Sequence, residues 1–262
     1  MRTIWMAGVL LAVAAVGAAQ QDAKAFLKQA QQKYREAKSW EMKIDITVES
    51  TFGGNMQRQQ SSSTIAMQRP NLVAAKVDAS GFTPAREVYS DGKTVYMYAP
   101  SAKQYMKQAA PSDFRGANVG LLGDAGMLIA LLEQDIDAMG QDVKVQFRGT
   151  QTIGGKQTRV VEVTEKRGNS TSNLKLYVGV QDRLVYRVEW NQTMRPQQSG
   201  QGGGQAQQPI TIQATANIRY ISFNKPIPAS RFRFTPPKDA KEVQPPQQGQ
   251  PITPSQPPSR GR

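Results

Sequence analysis

From Trp40 onward, apolar and polar residues alternate with a period of two over most of the sequence. Successive side chains of a β-strand point to opposite faces, so this alternation is typical of half-buried strands. The first run has apolar residues at Trp40, Met42, Ile44, Ile46 and Val48. Gly53 and Gly54 then interrupt it, which indicates a hairpin turn.

Ten further runs of similar length follow, each bounded by turn-forming residues. They cover residues 59–68, 71–79, 86–90, 94–98, 104–108, 143–149, 156–164, 173–180, 184–190 and 210–223. Asp91-Gly92, between two runs rich in tyrosine and valine, is a strong hairpin signal. Hairpin turns join strands that pair antiparallel, so the sequence predicts a largely antiparallel meander.

Two segments have helical periodicity instead. In residues 22–40, apolar residues recur at spacings of three and four, at Phe26, Leu27, Ala30, Tyr34 and Ala37. Residues 118–139 have a second apolar face, with Gly123 and Gly126 suggesting a break. The chain is therefore predicted to form one helix, five or six strands, a helical insertion and about five more strands.

A sheet of 10 or 11 strands curls, and the apolar faces of two helices need cover. The predicted fold is mainly β with α: an antiparallel, unclosed half-barrel covered by the N-terminal helix and the helical insertion. Residues 20–243 are expected to form one domain. An apolar space between helices and sheet follows from this arrangement.

The first 19 residues have the pattern of a signal peptide. Arg2 lies in a short basic start, residues 4–16 are apolar, and Gly17, Ala18 and Ala19 are small. The apolar run is shorter than the roughly 20 residues of a spanning helix. We therefore expect export to the periplasm, with cleavage after Ala18 or Ala19. The cut has no Cys, so lipidation as a bacterial lipoprotein is excluded there.

The chain of 262 residues contains neither His nor Cys. This excludes Cys/His zinc sites, His- or Cys-dependent nucleophilic catalysis, iron–sulfur clusters and His- or Cys-ligated haem. No cofactor or metal is predicted. The best carboxylate pair, Glu133 and Asp137, is interpreted as an exposed acidic helix end, because no catalytic constellation surrounds it.

The formal net charge is +13. In an exported chain this charge does not indicate nucleic acid; anionic lipids, envelope polymers or a simple solvated basic surface remain open. Two segments are too polar to pack. Residues 195–209 contain six Gln and four Gly and are predicted to form a flexible loop, and residues 244–262, with six Pro and five Gln, a disordered tail.

Two motifs carry a resemblance to a known family. They are QRPNL at positions 68–72 and YSDGKTVYMYAP at positions 89–100. Together they resemble the LolA family, the periplasmic carriers of outer-membrane lipoproteins, in which an Arg-Pro-Asn turn and a Ser-Asp-Gly-Lys hairpin lead to an aromatic strand ending in Tyr-x-Pro. The segments 103–105, 127–130 and 232–243 are also similar to that family.

The resemblance implies an unclosed half-barrel whose apolar cavity takes acyl chains. It also implies a monomer whose partners are an inner-membrane export complex and an outer-membrane receptor. Arg69 matches the family's arginine that holds the lid closed through hydrogen bonds to helical backbone. Candidate cavity residues are Trp40, Met42, Ile44, Ile46, Phe52, Met67, Leu72, Val95, Met97, Leu121, Leu128, Leu131 and Leu132.

The function expected from this resemblance is transport of lipoprotein acyl chains, or of another lipid or amphiphile, across the cell envelope without chemistry. An alternative is an RseB-like envelope-stress sensor that binds a membrane protein partner. An enzyme acting on envelope polymers is disfavoured by the absence of His and of a convincing acid pair. Periodicity does not distinguish a filled core from a lined cavity, and it does not say whether Val95 and Met97 or Tyr96 and Tyr98 face inward.

Overall fold

The computed structural model describes residues 5–52, 54–81, 84–139, 143–168, 170–194 and 209–244. Except for Pro209 and Gln244, the predicted Gln/Gly-rich loop and the predicted Pro/Gln-rich tail lie outside these residues. In the described part of the chain, no helix has both the length and the apolar character needed to cross a bilayer.

Twelve strands and two α-helices make up most of the described structure. The strands are β1 Ser39–Phe52, β2 Asn55–Gln68, β3 Leu72–Val77, β4 Arg86–Asp91, β5 Thr94–Ala99, β6 Gln104–Ala109, β7 Lys144–Ile153, β8 Lys156–Arg167, β9 Ser170–Gly179, β10 Val185–Met194, β11 Ile210–Phe223 and β12 Lys241–Glu242. The helices are α1 Trp5–Glu36 and α2 Asp124–Glu133, and the 3₁₀ turns are Gly116–Leu122, Ile136–Met139 and Ala229–Phe232.

All twelve strands belong to one open sheet in the order β12-β6-β5-β4-β3-β2-β1-β11-β10-β9-β8-β7. Each half of the chain forms a meander, and the two halves meet where β11 pairs antiparallel with β1. The predicted unclosed antiparallel sheet is confirmed, and all eleven predicted strands are present. The twelfth strand was not predicted: it pairs parallel with β6, and its two residues are too few to show alternation.

Both predicted helical regions are present, with different bounds. The first helix begins at Trp5, within the predicted signal peptide, because the Ala- and Leu-rich apolar run itself favours a helix. Its predicted stripe is buried against the sheet at Phe26, Leu27, Ala30 and Tyr34. The face of the sheet that α1 and α2 cover is called the inner face below, and it carries the main core.

The opposite, outer face is partly covered by the segment that follows β11. Ile227 and Phe232 of this segment are buried against Ala66 and Ala74 of the sheet. The ring of Phe234 lies among four tyrosine rings, at centroid distances of 5.4 to 5.7 Å from Tyr89, Tyr96, Tyr98 and Tyr105. Tyr96 and Tyr98 therefore lie on the outer face, and Val95 and Met97 lie on the inner face.

A glycine contact fixes the position of α2. The helix begins after Gly123, whose positive φ of 62° makes the predicted break, and continues through Gly126. A Cβ atom at Gly126 would overlap the backbone carbonyl oxygen of Val119 in the preceding 3₁₀ turn. Since Gly126 has no side chain, α2 can pack directly on that turn.

We expect Gly126→Ala to lower the free energy of unfolding by about 1–2 kcal/mol. Overpacking against a rigid carbonyl costs about 1–3 kcal/mol, which exceeds the gain of up to about 1 kcal/mol from alanine's helix propensity. Urea unfolding measures the difference. Gly120→Ala is the matched control because a Cβ there meets nothing within 4 Å. Equal stabilities of the two variants would contradict this account of the packing.

Candidate functional site

A cavity of about 590 Å³ lies between α2 and the inner face of the sheet. Its volume falls within the range of about 300–1,000 Å³ that is common for ligand pockets. Twelve of its sixteen lining residues are apolar: Ile46, Val48, Met127, Leu128, Leu131, Val163, Leu174, Val188, Trp190, Ile212, Ala214 and Ala216. The other four are Gln59, Asp124, Glu165 and Ser172.

The register of the sheet builds one wall of the cavity. A continuous row of paired residues crosses six neighbouring strands, and every member lines the cavity: Gln59, Val48, Ala214, Trp190, Leu174 and Val163. Residues two positions away on each strand lie on the same face. Five of the six residues in this row are apolar and Gln59 is polar, while Ser172 and Glu165, two positions from Leu174 and Val163, add polar groups to the same face.

The cavity continues the main core along the strands. On β1, Ile44 is fully buried, whereas Ile46 and Val48 line the cavity. On β11, Ala214 and Ala216 are small, so they leave space beneath α2 where larger residues would fill it. The same alternation thus produces packed core at one end of the strands and open apolar wall at the other.

Helix α2 forms the opposite wall. Asp124, Met127, Leu128 and Leu131 share one helical face because they are three or four positions apart. Ile129 and the other face of α2 are buried in the main core. The Met127 side chain is 64% exposed despite its apolar character, so it lies at the open rim of the cavity.

Polar groups in the cavity lie mainly at its edge. The Trp190 indole Nε1 donates a hydrogen bond to Ser172 Oγ at 2.8 Å, and the Trp190 side chain is 36% exposed. The twelve apolar lining residues present methyl, methylene and aromatic groups to the cavity. Such a wall suits an acyl chain, whose burial contributes about 0.8 kcal/mol per methylene without requiring specific polar contacts.

The end of α1 and the end of α2 are both bound by Arg69. Its Nε donates to the Ala37 carbonyl oxygen at 3.0 Å, and Nη2 donates to the Tyr34 carbonyl oxygen at 3.5 Å. Nη2 also forms an ion pair with Glu133 Oε1 at 2.5 Å. The guanidinium lies over the Trp40 ring at 5.1 Å from its centroid. Arg69 therefore connects the sheet to both helices at the same point.

The expected exposed acidic pair, Glu133 and Asp137, is not found. The Glu133 side chain is only 11% exposed; burial raises the pKa of its carboxyl, while Arg69 opposes that shift. Asp137 lies in the next 3₁₀ turn, where hydrogen bonds from Lys24 and Lys28 lower its pKa. Helix α2 ends at Glu133, so the two carboxylates do not share a helix face, and each has its own cationic partner.

The structure divides the thirteen predicted cavity residues into five groups. Three line the cavity: Ile46, Leu128 and Leu131. Six are buried in the main core: Trp40, Met42, Ile44, Met67, Val95 and Leu132. Met97 and Leu121 are partly buried against that core. Leu72 packs on the outer face, and Phe52 is exposed at the tip of the β1–β2 hairpin.

Nine apolar cavity residues were not predicted. They are Val48, Met127, Val163, Leu174, Val188, Trp190, Ile212, Ala214 and Ala216. Most belong to strands of the second half, whose alternation was visible but whose pairing with β1 was not. The predicted residues came mainly from the first half, where the family resemblance is carried.

A family model described as "Predicted periplasmic protein (DUF2092)" matches residues 23–201, more than half of the chain. The chain belongs to this family. The DUF2092 match includes α2 and all of the described cavity wall except the part contributed by β11.

Known proteins similar to this DUF2092 chain include the uncharacterized protein MJ0687 of Methanocaldococcus jannaschii, which is 26% identical over 222 residues. That match covers 85% of this chain and 54% of the relative, so the chain spans about half of the relative's length. LprF from Mycobacterium bovis is 15% identical, with 84% of this chain and 98% of LprF covered and a TM-score of 0.40. A LolA superfamily protein from Nitrosomonas europaea is 11% identical, with 81% and 97% covered and a TM-score of 0.30.

Proposed function

We propose that the protein is an exported periplasmic carrier that binds the acyl chains of lipoproteins, or of another lipid or amphiphile, in the cavity under α2. The observation that carries this proposal is the cavity itself, of about 590 Å³ and with twelve apolar residues among its sixteen lining residues. The description of the family as periplasmic supports the location. Cleavage after Ala18 or Ala19 would leave the chain from about Gln20 onward.

Carriage requires no chemical step. A bound acyl chain enters and leaves when α2 moves away from the sheet. This movement exposes the apolar surface of the cavity to a partner protein. The Arg69–Glu133 ion pair holds the end of α2 in the closed arrangement. By the resemblance to the LolA family, the partners would be an inner-membrane export complex that loads a monomer and an outer-membrane receptor that unloads it.

The test is native mass spectrometry of the mature protein purified from its own periplasm, followed by extraction and identification of bound lipids. We expect an acylated species at about one per protein molecule. An empty protein that instead captures a single membrane regulator would contradict the carrier and support the sensor.

A further inference from the structure

A second feature lies beside the cavity, where β4 begins. Arg86 is two residues before the buried core residue Val88, so it shares the inner face, and it pairs across the sheet with Val77. Its guanidinium packs directly on Gly123, the residue before α2. A Cβ atom at Gly123 would overlap that guanidinium, so the bare backbone there makes the close approach possible.

The Arg86 side chain is only partly exposed, and its Nε is buried without a hydrogen-bond partner. Among the described residues, its guanidinium takes part in no hydrogen bond and no ion pair. Leaving a cation partly desolvated without a partner is costly. Arginine offers a planar fork of donors that matches a carboxylate or phosphate, so an anionic ligand would complete this site.

Arg86 belongs to a small cleft that adjoins the apolar cavity. The cleft also contains the polar residues Gln59, Ser61, Asp78, Ser80 and Asp124. Four residues line both spaces: Ile46, Val48, Gln59 and Asp124. The cleft has a volume of about 30 Å³, room for about one water-sized group, so an amphiphile whose acyl chain occupies the adjoining cavity would place one head-group oxygen atom in the cleft and the rest of the head group at its mouth.

Two carboxylates, Asp78 and Asp124, also line the cleft, so an anion would have to bind at the guanidinium itself, away from them. Asp78 and Asp124 are exposed to water, and neither forms an ion pair with Arg86. Water screens exposed carboxylates strongly, whereas a partly buried guanidinium keeps most of its field. The N-terminal turn of α2 beside Gly123 contains Asp124, whose carboxylate offsets the positive potential of the backbone N–H groups there, so the attraction for an anion comes from Arg86.

We propose that Arg86 binds the anionic head group, a carboxylate or a phosphate, of an amphiphile whose acyl chain lies in the cavity under α2. This inference rests on the proposed function and narrows its ligand class to anionic amphiphiles. Burial of the acyl chain provides the affinity, and charge-assisted hydrogen bonds from Arg86 provide the preference for an anionic head group.

The experiment compares three probes that share one eighteen-carbon chain: oleate, oleyl phosphate and oleyl alcohol. Binding to the mature full-length protein is measured by isothermal titration at concentrations below micelle formation. The wild type should bind at least one of the two anions about tenfold more tightly than the alcohol, as one good charge-assisted contact provides. The better anion identifies the head group as carboxylate or phosphate.

Arg86→Met should abolish this preference while leaving the affinity for oleyl alcohol unchanged, and Arg86→Lys should retain part of it. Arg58→Met is the matched control, because Arg58 is an exposed arginine that pairs with Glu49. Circular dichroism checks that each variant folds. Equal affinity of the wild type for all three probes would overturn the Arg86 proposal and leave the carrier intact. Absence of binding to every probe would overturn both.

Discussion

Ala214→Trp should weaken binding of an acyl chain at least tenfold. Ala214 lies in the middle of the cavity wall, between Val48 and Trp190 in the paired row. An indole at this position projects toward α2 and occupies space that several methylenes of a ligand would use. Loss of contact with only two methylenes corresponds to about 1.6 kcal/mol, which is more than a factor of ten in affinity.

Displacement of a fluorescent fatty acid by oleate measures this effect. Gln213→Trp is the matched control: it places the same side chain on the same strand, but Gln213 is exposed and points to the outer face. We expect this control to bind like the wild type. If the Ala214→Trp variant retains wild-type affinity, and thermal unfolding shows that the variant is folded, the acyl chain does not bind in this cavity.

Arg69→Leu should lower the free energy of unfolding by about 3 kcal/mol. Removing one partner of a buried ion pair leaves the other uncompensated, at a cost of about 3–5 kcal/mol, and the lower end applies because Glu133 can take up a proton. The two side chains are only 13% and 11% exposed. The double variant Arg69→Leu/Glu133→Leu should recover much of the loss, since no buried charge remains. A double-mutant cycle by urea unfolding measures the coupling.

The stability deficit of Arg69→Leu should depend on pH. Burial already raises the pKa of Glu133 above its ordinary value, and loss of the opposing guanidinium raises this pKa further. A carboxyl whose pKa is raised in the folded state contributes stability below its unfolded pKa, and that contribution is lost as pH rises through the folded pKa. The deficit relative to the wild type should therefore be larger at pH 8 than at pH 5. A deficit that grows on acidification would contradict the assigned pairing.

Arg69→Leu should also shorten the residence time of a bound chain, because Arg69 connects the ends of both helices to the sheet. Stopped-flow measurement of oleate release should give a dissociation rate several times that of the wild type. Lys76→Leu is a suitable control, since Lys76 is an exposed cation with its own partner, Glu87. Unchanged release from folded Arg69→Leu would refute the lid-closing role.

The sequence predicted the strands and the helical insertion because alternation and turn residues act locally. The β1 run from Trp40 to Val48 is an example, since its alternation alone shows which residues share a face, without reference to the strands that β1 pairs with. In the structure, two apolar residues of this run nevertheless have different environments: Ile44 lies in the core, and Val48 lines the cavity. That difference depends on whether a helix or empty space lies opposite, which local periodicity does not encode.

Long-range pairs were beyond prediction for the same reason. The local sequence predicts that Glu133 lies at a solvent-facing helix end, but in the structure it pairs with Arg69, which is 64 residues earlier. Arg86 had no local signal at all, because its environment depends on Gly123 and on the strands that line the cleft. Arg69 was singled out through the family resemblance of its Arg-Pro motif and not through periodicity.

Quenching of Trp190 by a brominated acyl chain tests the central claim most directly. In the mature protein, without the predicted signal peptide that contains Trp5, Trp190 lines the cavity and Trp40 is buried in the core with 1% exposure. Titration with dibromostearate should quench the tryptophan fluorescence of the wild type saturably, at one chain per protein. In Trp190→Phe, which retains an aromatic wall, most of that quenching should disappear although oleate still binds. Binding without saturable quenching, or equal quenching in Trp190→Phe, would show that the acyl chain binds elsewhere, which would contradict binding in the cavity under α2.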